Sequence, residues 1–175
     1  MEVTILNVLD VIGTWIAAIG TVGAVITSLW LSYNSSKAKL KIKVTSRDII
    51  SEHNTIEDIV CFIEIFNVGY RTVTISSLGW SITRGKEKKT FIQNTKGSSV
   101  DKLPITLKEG EEANIVLSFY KNDWLHNMAR NITGFKTDDL YVLVSTSQDI
   151  FKAKINKSLV DDINKERKKI ANDAN

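Results

Sequence analysis

Residues able to do chemistry are few in this chain and stand far apart. His53, His126 and Cys61 are the only imidazoles and the only thiol in 175 residues. A serine hydrolase needs a base within hydrogen-bond reach of its nucleophile, and its elbow has the pattern G-x-S-x-G. No such pattern precedes either histidine. A zinc site needs several His, Cys or carboxylate ligands brought together, and one cysteine with two distant histidines does not supply them. Asp138-Asp139 and Asp161-Asp162 are acidic pairs, but adjacent side chains on a strand or helix point apart. Gly20 and Gly23 sit inside an uncharged run, not in the strand-to-helix turn that a phosphate loop requires. The expectation is a protein that is not an enzyme, with no catalytic residue, no cofactor and no metal.

The elements that would position anything are led by that uncharged run. Val11 to Ser36 holds 26 residues without a charge, between Asp10 and Lys37. A bilayer core of about 30 Å takes about 20 apolar helical residues. Val11 to Leu31 has that length, with Trp15 near one end and Trp30 and Tyr33 near the other, where amphipathic rings favour headgroup levels. A cleaved signal peptide would have a basic start and a short apolar centre, and MEVTILNVLD has no Lys or Arg. One transmembrane helix is expected within residues 1–36, after a short outer segment. All 23 Lys and Arg lie from residue 37 onward, against 18 of the 20 acids, which is +5 for that portion. Basic residues mark the cytoplasmic side of a span. The N-terminus is therefore expected outside and the rest inside, and a lone Cys61 suits a reducing compartment. The basic balance is mild and makes no strong case for a nucleic-acid surface, which wants a concentrated basic face, and it suits a domain near anionic lipid.

The span carries a pattern. Gly13, Ala17, Gly20 and Ala24 form a stripe of small residues, with Thr14, Thr21 and Ser28 recurring every seven beside it. Small residues let membrane helices approach, and hydroxyls can bond across the contact. These seven positions predict self-association into a homo-oligomer. The hydroxyl line also motivates an alternative: a small oligomeric effector whose helices form or disrupt a pore.

Behind the span the periodicity changes from helical to alternating. KLKIKVTSR puts Leu40, Ile42 and Val44 on one face and Lys39, Lys41 and Lys43 on the other, a half-buried strand whose lysines meet solvent or lipid headgroups. SEHNTIED reads as a loop and DIVCFIEIFN as a core strand interrupted by Glu64. NVGYR is a turn, with Gly69 free to take positive φ. In TVTISSLGWSI the alternation slips at SSLG, which predicts a bulge or a strand that changes sheet. RGKEKK is a basic hairpin tip and TFIQN returns from it. Residues 103–120 give a short extended piece at Pro104, a turn at Glu109-Gly110 and a strand over 113–120. Asp123 is a candidate N-cap for a short helix containing Trp124, Leu125, Met128 and Ala129. Strands follow at 140–146 and 150–155. Residues 156–175 form a basic helix with an apolar stripe of Leu159, Val160, Ile163 and Ile170. About seven short strands predict a mainly β domain over 37–155, an immunoglobulin-like β-sandwich without the usual cysteine pair.

Two surfaces could bind something. The basic tip Arg84, Lys86, Lys88 and Lys89 could meet lipid phosphate, a nucleotide or nucleic acid, or be an ordinary solvated hairpin end. Tyr120 and Trp124, aromatic and close to a helix start, could mark a surface for a protein partner. Trp80 alternates with Leu78 and Ile82 and belongs in the core. The terminal cluster Lys165, Arg167, Lys168 and Lys169 could lie on a membrane, on the sandwich or on a partner.

IFNVGYRTVTISSLGW followed by LPITLKEGE resembles small single-span bacterial and prophage membrane proteins with a cytoplasmic immunoglobulin-like domain. The matching residues are Asn67, Gly69, Arg71, Val73, Ile75, Gly79 and Trp80, then Leu103, Pro104, Leu107, Gly110 and Glu111. Where a proline often follows the arginine, this chain has Thr72. The resemblance implies the fold and an inner-membrane topology, and it brings no catalytic residue. Some similar small anchored proteins look like parts of phage-defence systems. Residues and resemblance together predict a membrane-anchored binding or scaffold protein.

Overall fold

A 34-residue helix, α1 (Glu2–Ser35), opens the chain. The computed structural model describes residues 2–35, 37–50, 56–94, 102–120 and 123–173. α1 starts at Glu2, so the residues expected to precede the span are part of the helix. Its stretch Asp10–Tyr33 is long and apolar enough to cross a membrane. The chain forms two compact units, Met1–Lys37 and Ala38–Asn175.

The second unit is built on eight described strands in two antiparallel sheets. The first sheet has the order β1 (Leu40–Ile50), β2 (Ile56–Asn67), β6 (Glu112–Ser118). The expected polar loop shrinks accordingly: Ile56 already pairs with Ile50, and residues 51–55, with His53, lie outside the described residues. The second sheet has the order β4 (Glu87–Ile92), β3 (Val73–Arg84), β7 (Leu140–Thr146), β8 (Ile150–Lys154), with β5 (Ile105–Leu107) also on β3. β4 and β5 divide one edge of β3. β5 takes Val73 to Ile75 and β4 takes Gly79 to Arg84. The slip expected at SSLG is a register shift between Ile75 and Ser77 against β7, and β3 stays in one sheet.

Alternation explains the core. Val44, Cys61, Ile63, Ile65, Ala113, Ile115 and Leu117 of the first sheet share one buried cluster with Ile75, Leu78, Trp80, Ile82, Val142 and Val144 of the second. Two helices join it. α2 (Trp124–Asn131) contributes Trp124, Met128 and Ala129. α3 (Lys157–Asp173) contributes Leu159, Val160 and Ile163. α3 belongs to the same compact unit as the sheets. Its entry lies along β1: the Asn156 N–H donates to Val44 O at 3.0 Å, and the Ser46 N–H donates to Ser158 Oγ at 3.3 Å.

One glycine is dictated by packing. A Cβ on Gly79 would stand 2.8 Å from the Phe91 carbonyl oxygen, on the β4 backbone. Gly85 and Gly110 have φ of 58° and 75° and turn the β3–β4 and β5–β6 connections, which side chains resist.

Candidate functional site

Three places hold the side chains that sequence reasoning singled out. The first is the small-residue face of α1. Gly13, Ala17, Gly20 and Ala24 are exposed along the helix, and a Cβ on Gly13 or Gly20 would meet nothing within 4 Å. The neighbouring hydroxyls are engaged within the helix. Thr14 Oγ1 donates to Asp10 O at 2.8 Å, Thr21 Oγ1 to Ala17 O at 2.9 Å, and Ser28 Oγ to Ala24 O at 2.8 Å. Such back-bonding occupies the donor and leaves oxygen lone pairs as the polar face.

The second place is the basic tip, which the structure divides. Arg84 Nη1 donates to Gly134 O at 2.9 Å, and Lys89 Nζ donates to Asn131 O at 2.6 Å. Strand alternation places both on one side: Arg84 and Lys89 share the parity of Ile82 and Phe91, and Lys89 reaches the last residue of α2 while Arg84 reaches the turn after it. Carbonyls left over at a helix end attract cations. All four residues are exposed, and two of them, Arg84 and Lys89, also bond α2 and the turn that follows it.

The third place surrounds α2. Trp124 was expected at a partner surface, and the structure corrects this: Trp124 is only 8 % exposed. Its ring lies 5.7 Å from Trp80 and is stacked 5.7 Å from Phe119. The Trp124 and Trp80 indole N–H groups both donate to Gln93 Oε1, each at 2.9 Å. Gln93, just past β4, is the residue that sequence reasoning missed. The available signal was Trp80, which alternation places in the core and whose buried N–H needs an acceptor. Asp123 stands at the N-cap position with φ of 50° and makes no side-chain cap hydrogen bond, so the expected capping role is corrected too. Tyr120 is 67 % exposed. It lines an open cleft of about 300 Å³ with Phe119, Asp123, Leu125, His126 and Glu166. His126 Nδ1 lies 3.4 Å from Glu166 Oε1, and Lys169 Nζ pairs with Glu166 Oε2 at 3.2 Å. The cleft offers an imidazole, two carboxylates and a phenol to a small polar group.

Elsewhere the sequence signals serve structure. Asn67 is 1 % exposed. Its Nδ2 donates to Arg71 O at 2.7 Å and Leu107 O at 3.1 Å, and its Oδ1 accepts from the Gly69 N–H at 3.1 Å. Glu111 Oε2 accepts from the Lys108 N–H at 2.8 Å. In the C-terminal basic cluster, Arg167 Nη1 donates to Phe135 O and Thr137 Oγ1, both at 3.1 Å, so this cation serves to dock α3. On β1, Arg47 lies 4.1 Å over the Phe62 ring and pairs with Glu64 at 3.0 Å. Burial pushes the Cys61 thiol well above its ordinary pKa, so the thiolate that a nucleophile or ligand needs is disfavoured. Among the described residues, no three His, Cys, Asp or Glu side chains are grouped to hold a metal ion.

No protein-family model matches the chain, and no curated protein matches it. Among solved structures it is similar to the X-ray structure of Northeast Structural Genomics Consortium target SoR45, at 15 % sequence identity and a TM-score of 0.31, over 67 % of this chain and 82 % of that one.

Proposed function

We propose that the protein is a single-pass, membrane-anchored scaffold that self-associates through α1 and presents an immunoglobulin-like β-sandwich to a protein partner in the cytoplasm. One observation carries the reading. Every large apolar side chain described from Val11 to Tyr33 on α1 is between 49 % and 68 % exposed. An apolar helix with no protein against it needs lipid or other helices as its solvent. Lys37, Lys39, Lys41 and Lys43, with no Lys or Arg before residue 37, support an inner-membrane orientation with Ala38–Asn175 inside.

The test is the mass of the detergent-solubilised full-length chain beside the Gly20→Leu/Ala24→Leu variant. The expected result is a defined oligomer for the native chain and a lower mass for the variant, since Leu side chains hold the backbones apart. Equal masses would remove the small-residue face as the contact. A pore is a second reading, favoured by the Thr14, Thr21 and Ser28 line. Their donors are spent within the helix, but their oxygens could face water. Loss of membrane potential on expression would support it, and intact potential in cells holding the oligomer would sink it.

A further inference from the structure

We infer that the turn Val68–Gly69–Tyr70 is a second membrane contact, docking the domain end-on to the lipid surface that α1 enters. The inference rests on the proposed span. Ser35 ends α1 and Leu40 begins β1. Five Cα–Cα steps reach at most about 18 Å, so the Leu40 end of the domain stays near the membrane surface whatever the orientation of the two units. The β2–β3 turn is at that end: Leu40 pairs with Asn67, and the Val68 N–H donates to Lys39 O at 3.0 Å.

The turn is built to present apolar side chains there. Val68 is 58 % exposed and Tyr70 is 75 % exposed, while Asn67 beneath them fixes the loop from inside with its three side-chain hydrogen bonds. The β7–β8 turn adds Ile150, 66 % exposed. That turn adjoins the same end: with its amide oriented to satisfy both partners, Gln148 accepts from the Arg71 guanidinium at 2.7 Å. A tyrosine held at a headgroup level by a rigid turn suits the interface. Glu109, Glu111 and Glu112 occupy the neighbouring β5–β6 region, so Val68 and Tyr70, not net charge, carry the contact. Lys86 lies at the other end of β3, roughly 35 Å away at strand rise.

The full-length protein in vesicles of phosphatidylcholine and phosphatidylglycerol tests this. The phosphatidylcholine carries a nitroxide at a shallow acyl position. A fluorophore is placed on Lys108→Cys, in the turn whose Gly110 N–H donates to Asn67 O at 2.9 Å, or on Lys86→Cys as the far-end control. Buried Cys61 is left unlabelled. Quenching at position 108 should exceed that at 86 by about twofold or more, and should fall toward the control when Val68→Ser and Tyr70→Ser are added. Equal quenching at 108 with and without those serines would show that the tether alone brings it close, and would overturn the inference. So would position 108 quenched no more than position 86 while Trp15 and Trp30 are quenched. That pattern leaves the span intact and gives the turn to a protein partner or a second copy. Unquenched Trp15 and Trp30 would instead overturn the span, and the contact with it.

Discussion

Gln93 holds two indoles on a single oxygen, and its own amide donates to Asn94 O at 2.9 Å. Gln93→Leu should leave two largely buried donors unpaired. The expected cost is about 2–4 kcal/mol, read as a lower urea midpoint followed by tryptophan fluorescence, while Gln93→Glu keeps the acceptor and loses less. Gly79→Ala should cost about 1–3 kcal/mol, because its methyl meets the Phe91 carbonyl and β4 has to shift. Cys61 gives a pH prediction. Its thiol is raised in the folded state, so the native form is not penalised below the unfolded pKa. Stability should fall as pH rises above about 8.5, by up to about 1.4 kcal/mol per unit. Cys61→Val should lack that component when alkaline unfolding curves are compared. At this scale the sequence was partly legible. Trp80 was placed in the core from its alternation, whereas Trp124 was not, because one helical residue near a loop carries no period. Asn67 and Gly79 were noticed through resemblance, but their reasons, a buried amide serving three backbone groups and a backbone too close for a Cβ, exist only in three dimensions.

The elements were the most legible level. Alternation located β1, the slip in β3 and the β7–β8 hairpin, and the apolar stripe located α3 and the side it buries. The two-residue extension of β2 into SEHNTIED was hidden because that stretch is polar and β1 runs on to Ile50 to pair with it. In the sequence the basic tip reads as one cluster, because its residues are near neighbours along the chain. Strand parity separates them, turning Arg84 and Lys89 to the side where α2 and its following turn offer carbonyls. Arg84→Ala and Lys89→Ala should therefore each destabilise the domain by about 0.5–1.5 kcal/mol, with Lys86→Ala and Lys88→Ala near neutral. Thermal unfolding of the four variants decides this, and four equal values would contradict the capping role.

For the whole molecule, the proposed anchor and domain make a simple prediction about partitioning. Alkaline washing of membranes should leave the full chain in the pellet, while a chain beginning at Ala38 should appear in the supernatant. Release of the full chain would contradict the span. What the domain meets is not legible in the sequence, because charge and aromaticity also mark side chains that serve the fold, such as Trp124, Arg84, Lys89 and Arg167.

The entry to α3 has a consequence for many copies in one membrane. Helices that associate would hold their domains at millimolar effective concentration, where unpaired strand edges invite runaway pairing between chains. β1 is an 11-residue edge strand at the tethered side of the domain. Asn156 and Ser158 already occupy Val44 O and Ser46 N, and Lys41, Lys43 and Arg47 charge its outer face. If the copies associate through α1, the segment leading into α3 would hinder pairing at the middle of this edge, where Val44 and Ser46 are already bonded.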